Sequence, residues 1–170
     1  MRYLRSLRAF LVLVLLFHGT ADAAGKAAKA AQVDWKRVQA ADSEPQNWFT
    51  GGRDAGEQHY SPLALINEGN VGRLGFEWEF DSGNLRGRVQ RGHEATPIVV
   101  DGVMYNSGPF GAVYALSATT GKLLWRFEPQ LDGAWARKAC CDAVNRGVAV
   151  WKGKVYVGQL DGWLVALDAA

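Results

Sequence analysis

From residue 48 onward the chain is written in short apolar runs broken by clusters of Gly, Asp and Asn: 75–80, 98–106, 112–116 with its continuation 122–127, and 147–158 leading into 163–167. Apolar runs of this length, bounded by turn-forming residues, predict β-strands rather than helices. Pro97 heads the second run, a position where a sheet tolerates a residue that has no N–H to donate. Upstream the texture differs. Residues 9–17 are an unbroken apolar run, 24–31 form an Ala/Lys stretch without turn chemistry that reads as a loose leader, and 33–41 carries the amphipathic spacing of one short helix. The pattern predicts an all-β domain over 48–170, preceded by a leader over 24–47 with that single helix.

The strand runs are related to one another. Displacing the chain by 51 residues pairs Val99 with Val150, Gly102 with Gly153, Tyr105 with Tyr156, Gly111 with Gly162, Ala115 with Ala166, Leu116 with Leu167 and Ala118 with Ala169, without a gap. Each unit reads as a strand, a Gly turn, a strand with a central Tyr, a second Gly turn and a strand ending in Ala-Leu. A period of about 40–50 residues with four strands per unit is that of a β-propeller blade. Two similar hairpins in an ordinary sandwich are the competing arrangement. The first unit continues into Thr120-Gly121-Lys122-Leu123-Leu124-Trp125, whereas the second reaches Ala169-Ala170 where that continuation should follow. Repeats of this kind bury their faces only against neighbours, and about three or more are needed for stability. Two units and a lead-in strand ending at Trp78 are therefore expected to be the first part of a longer protein, with little capacity to fold alone.

The N-terminus speaks to location. Arg2, Arg5 and Arg8 precede the apolar run, and Ala21-Asp22-Ala23 has the small-x-small form of a signal-peptidase site, so residues 1–23 are expected to be a cleaved signal peptide. The run is shorter than the roughly 20 residues that span a bilayer, which argues against a stable membrane span. Export predicts a periplasmic protein. Charge then changes meaning: of the formal net charge of +2, three Arg and one Asp lie within residues 1–23, so the mature chain is near neutral. Nothing remains of the basic, aromatic-interleaved surface that a nucleic-acid partner requires.

Cys140 and Cys141 are the only two cysteines, and they are adjacent. Neighbouring Cα atoms sit about 3.8 Å apart, below the usual disulfide span of about 4.4–6.8 Å, so joining them closes a small ring that is a poor staple. In an exported protein such a ring can persist, and it would serve shape or chemistry rather than stability. Two reduced, buried thiols are the other reading of the residues themselves. His59 and His93 are isolated and lack metal-ligand spacing, and no C-x-x-C-H is present for covalent haem attachment.

The segments "NWFTGGRDAGEQHYSPLALINEGNVGRLGFEWEF", "GHEATPIVVDGVMY", "ALSATTGKLLW" and "ACCDAVNRGVAVWKGKVYVGQLDGWLVALDA" together resemble the N-terminal part of the quinoprotein and quinohaemoprotein alcohol dehydrogenases that use pyrroloquinoline quinone (PQQ). The third segment marks tryptophan-docked blades in general, while the adjacent cysteines before "DAVNRG" and the upstream "GHEATP" belong to the cofactor-binding subset. The resemblance implies an eight-bladed propeller with PQQ and Ca²⁺ on its axis. It implies that Cys140 and Cys141 form a vicinal disulfide lying flat on one face of the quinone, that Glu94 hydrogen-bonds the cofactor, and that Arg146 contacts it. A solvated loop carboxylate is the plain alternative for Glu94, and a structural pair with Asp142 is the alternative for Arg146. Asn145 reads as a turn residue. Trp78 and Trp125 end their strands and are expected to dock blades, whereas Trp135, Trp151 and Trp163 are ambiguous between core and ligand contact.

By the same resemblance the calcium ligands, the catalytic Asp and the opposite wall of the quinone site lie beyond residue 170, so no catalytic residue falls in this span. The implied function is oxidation of an alcohol by hydride transfer to PQQ with Ca²⁺ assistance, electrons passing to an acceptor such as a cytochrome, with haem c confined to any later domain. A non-catalytic propeller scaffold and an inactive truncated remnant are the alternatives.

Overall fold

The computed structural model describes residues 30–170 apart from 84, 87, 88, 91, 92, 140 and 142. The expected signal peptide and nearly all of the Ala/Lys leader lie outside the described residues. After a short helix α1 (Trp35–Gln39) and a two-residue hairpin pair β1 (Leu85–Arg86) and β2 (Val89–Gln90), two antiparallel sheets carry the fold. The first runs β3 (Ile98–Val100), β4 (Val103–Ser107), β5 (Val113–Ser117), β6 (Leu123–Phe127) as a simple meander. The chain then passes through a helix α2 (Ala134–Lys138) into β7 (Ala149–Trp151), β8 (Lys154–Gly158) and β9 (Leu164–Asp168), again a meander.

The 51-residue displacement is reproduced by the ladders. Ile98, Tyr105 and Ala115 stand opposite one another in the first sheet, and Ala149, Tyr156 and Ala166 do so in the second. The turns repeat too. Asp101 (φ 53°) and Gly102 (φ 82°) join β3 to β4, and Lys152 (φ 46°) and Gly153 (φ 76°) join β7 to β8. Two successive positive φ angles define the tight type I′ hairpin turn, whose twist suits the flanking strands.

The first sheet is apolar on both sides. Ile98, Tyr105 and Ala115, with Trp125 beside them, face the second sheet through Val150, Val155 and Leu167, while Ala112, Tyr114 and Leu116 face away and are covered by Phe80. Burying a large apolar side chain stabilises by about 1.5–3 kcal/mol, so this interface carries most of the cohesion between repeats. Polar tips in it are satisfied: Tyr105 Oη and Trp125 Nε1 both donate to the Ala169 carbonyl, at 3.3 and 3.2 Å. Burial pushes the Tyr105 phenol up to about 12, so it stays a neutral donor. Trp78 lies with its ring against Gly121, where an added Cβ would sit 2.4 Å from Cε3. Trp125 thus ties the two sheets together, and Trp78 packs against the β5–β6 turn without belonging to a strand of its own.

The strand expected over 75–80 does not form. These residues belong to no ladder and Phe76 is 78 % exposed; a strand exists only through pairing, and none of the described strands pairs with them. The single early helix is shorter than the amphipathic segment 33–41. Asp34 caps it by accepting the Arg37 N–H at 2.9 Å, and the chain leaves it through a 3₁₀ turn at Ala41–Ser43. Residues 30–47 pack closely against the sheets. Ala31, Val33, Val38 and Ala41 enter the main core, the Lys152 and Gly153 N–H groups donate to the Val33 and Ala31 carbonyls at 2.9 and 2.8 Å, and Asn47 Oδ1 receives the Asp101 N–H at 3.0 Å. Arg37 completes the strap, holding Glu44 and Asp101 with its fork and covering the Phe49 ring at 5.0 Å. Among the described residues no helix is long and apolar enough to cross a membrane.

Gly121→Val is expected to destabilise the full-length protein by about 1–3 kcal/mol, read as a lowered denaturant midpoint, since it inserts a branched side chain into the Trp78 ring at a positive φ. The strap predicts an acid sensitivity. The Arg37 hydrogen bond holds the Glu44 carboxyl below its ordinary 4.5. A depressed folded value gives stability that is complete above the unfolded value and is lost as pH falls through the folded one. Thermal unfolding of the wild type should therefore weaken more steeply than that of Arg37→Gln as pH drops below 4.5.

Candidate active-site wall

Strand direction decides where the candidate residues meet. The N-terminal ends of β3 and β7 and the C-terminal ends of β4, β6 and β8 share one end of the two sheets, opposite the end that the strap covers. Glu94 lies just before β3, and Cys141 and Arg146 lie on the connection from β6 to β7, so all three belong to that end.

The approach of the two segments is made by backbone. Thr96 and Gly147, equivalent positions in the two repeats, form a parallel bridge, and the Thr96 N–H donates to the Arg146 carbonyl at 3.3 Å. Gly147 has φ 138°, and a Cβ there would stand 3.3 Å from the Thr96 carbonyl oxygen, which explains why glycine follows Arg146. The side chains on either side then pair: Arg146 Nη2 lies 3.3 Å from Glu94 Oε2, with the two side chains 67 % and 45 % exposed. Among the described residues Arg146 pairs with Glu94, contributed by the other repeat; Asp142 lies outside them. An exposed ion pair of this kind is worth about 0–1 kcal/mol, too little to explain its position by stability.

The connection itself is tied down by polar groups. Ala143 accepts the Phe110 N–H at 2.7 Å, with Phe110 held at φ 63° in the β4–β5 turn. Asn145 accepts from Ser107 Oγ at 2.7 Å and from the Gly147 N–H at 3.1 Å, and donates from Nδ2 to the Gly158 carbonyl at 2.8 Å. Cys141 is exposed and disulfide-bonded. Cys140 and Asp142 lie outside the described residues. Reading Asn145 as a turn residue captured its Gly147 contact but not its bridge to both sheets, for which the only cue in the sequence is its place directly before the Arg.

The remaining aromatic candidates divide. Trp151 packs against the core, Trp135 stacks under Lys138 Nζ at 4.3 Å on α2, and Trp163 is 71 % exposed. His93 contacts Ser82 Oγ at 3.1 Å and lies 6.5 Å from the Tyr114 ring. Among the described residues, no group of three or more His, Cys, Asp or Glu side chains is placed to hold a metal ion.

A tryptophan-docked repeat of antiparallel sheets, with an acid, an arginine and a disulfide at one end, defines a β-propeller of the quinoprotein class. Residues 48–170 match the PQQ family described as "Glucose/ethanol/alcohol dehydrogenase, beta-propeller domain", and the chain belongs to that family. It is 58 % identical over 139 residues to the quinohemoprotein alcohol dehydrogenase ADH-IIG of Pseudomonas putida, covering 82 % of this chain and 19 % of that protein. The solved structure of the same enzyme superposes with a TM-score of 0.75, covering 82 % of this chain and 20 % of that one. The crystal structure of the quinohemoprotein alcohol dehydrogenase from Comamonas testosteroni, 46 % identical, superposes with a TM-score of 0.78 over 88 % of this chain and 22 % of that one. A 1-butanol dehydrogenase (cytochrome c) of Thauera butanivorans is 51 % identical over 122 residues, 72 % of this chain and 17 % of that protein. The chain thus spans about a fifth of the length of the relatives it matches.

Proposed function

We propose that this chain supplies one wall of the PQQ site of a periplasmic alcohol dehydrogenase, entering by way of the signal peptide at 1–23. The observation that carries the reading is the Glu94–Arg146 pair, drawn from two different repeats and held at the sheet end that also bears the disulfide-bonded Cys141. The donor set fits the cofactor. PQQ is a planar tricarboxylate, and a guanidinium presents five N–H donors in a flat fork, of which the contact with Glu94 engages one nitrogen. When bound, PQQ would supply a two-electron quinone oxidant for an alcohol, with Ca²⁺ as an accompanying Lewis acid.

The chain's own residues bind and orient. Arg146 would meet carboxylate or carbonyl oxygens of the cofactor, and Glu94 would restrain the Arg146 fork while free to accept a further hydrogen bond. A Cys140–Cys141 ring, as the family resemblance implies, would give a rigid, polarizable floor against which a π-face could pack without the ordering cost of a long flexible side chain. Calcium ligands, the proton-accepting carboxylate and any haem c domain belong to other parts of the protein. The cytochrome acceptor is supported by the name of the Thauera butanivorans relative.

The test is a titration of PQQ, with Ca²⁺, into cofactor-free full-length protein, followed by quenching of tryptophan fluorescence and then by alcohol-dependent dye reduction. Saturable binding and turnover are expected. Replacing Cys140 and Cys141 together by Ala should weaken PQQ binding by about 10-fold or more, the range seen when groups that orient a site are removed. Unchanged affinity in that double variant would remove the disulfide from the site.

A further inference from the structure

We infer that Asn145 is a positioning residue for Arg146, setting the side-chain origin from which the guanidinium meets an anionic group of the cofactor; this rests on the PQQ reading above. At this end the Asn145 side chain bonds to both sheets and to the connection between them. Its Oδ1 accepts from Ser107, the last residue of β4, and from the Gly147 N–H, while its Nδ2 donates to Gly158, the last residue of β8. Ser107 is 1 % exposed, so that hydrogen bond is shielded from water.

The orientation of the amide is fixed by chemistry. Turned over, its NH₂ would face the Gly147 N–H, donor against donor, and its oxygen would face the Gly158 carbonyl, acceptor against acceptor. The neighbouring residue is held from the other side as well, by the Thr96 N–H on the Arg146 carbonyl. Arg146 thus has a pinned backbone beneath a long, 67 % exposed side chain. Arginine has many rotamers, and fixing its point of departure lowers the conformational entropy lost when its fork engages a ligand.

A bracket that only stabilised the fold would affect every property of the protein alike. One that acts through Arg146 loses its influence on ligand binding when the guanidinium is gone. Binding of PQQ to cofactor-free full-length protein, read by tryptophan quenching, is to be compared among wild type, Asn145→Ala, Arg146→Ala and the double variant, with melting temperatures measured in parallel. Asn145→Ala is expected to weaken PQQ binding by about 10-fold in the wild-type background, as orienting residues do. In the Arg146→Ala background it should change the affinity by less than about 2-fold, while lowering the melting temperature equally in both.

Asn145→Asp keeps the acceptor for Ser107 and Gly147 but sets an anionic oxygen against the Gly158 carbonyl, and should resemble the Ala variant. Should Asn145→Ala fail to fold, Ser107→Ala removes one of the three hydrogen bonds and should show the same dependence on Arg146 at smaller size. Equal loss of affinity in both backgrounds, or none in either, overturns the positioning role while leaving the cofactor reading intact. Absence of saturable quenching in the wild type overturns the cofactor reading and this inference with it.

Discussion

A short antiparallel sheet with apolar side chains on both faces has to be covered on both, and in this chain the cover for one repeat is the next. The Ile98–Tyr105–Ala115 face of the first sheet meets the Val150–Val155–Leu167 face of the second, which is the displaced counterpart of the face that the first sheet turns toward Phe80. Apolar contact alone would let such faces slide. The register is fixed where polar atoms are buried among them, at Ala169, whose carbonyl receives Tyr105 and Trp125 and whose N–H donates to the Gly153 carbonyl at 3.1 Å. Buried donors that must find an acceptor convert a non-directional attraction into a single arrangement.

The candidate site follows from that arrangement. With the sheets locked, the segments entering β3 and β7 come side by side at Thr96 and Gly147, and the residues beside them in sequence become neighbours in space. The interface is closed at both ends by different means. At one end the strap of residues 30–47 bonds to both hairpin turns and clamps one of them through Arg37. At the other, Asn145 joins the ends of β4 and β8. A site placed between two repeats is defined only as well as the angle between them, so the distant strap contributes to the geometry of the Glu94–Arg146 pair without touching it.

Much of this was legible in the sequence because repetition exposes it. Tyr105 with Tyr156, and Gly102 with Gly153, give the strand order and turn positions before any coordinates, and the turns are narrow enough in φ that Asp-Gly and Lys-Gly could hardly do otherwise. Composition around Trp78 and Trp125 likewise announced docking. The segment 75–80 misled because its apolar alternation describes a surface to be buried, whereas a strand needs an edge to pair with, and pairing is a property of distant residues. The packing of Ala31 was hidden for a related reason: an Ala-rich stretch carries no period, and only the neighbouring β7–β8 turn makes it part of a core. The pairing of Arg146 with Glu94 crosses 52 positions, and no local pattern encodes it.

The pair also shows how a site can be charged before its ligand arrives without endangering the fold. An isolated guanidinium awaiting a tricarboxylate would face a large desolvation cost if covered by anything else, and an isolated carboxylate would repel the anionic cofactor proposed here. Set 3.3 Å apart and both partly in water, Arg146 and Glu94 neutralise each other at little cost or gain. An entering carboxylate then competes for a fork that is still largely exposed to water, and Glu94 need only keep one contact with it. The weakness of this ion pair is what permits it to be shared, and the Thr96–Gly147 bridge and the Asn145 bracket supply the rigidity that the pair itself lacks.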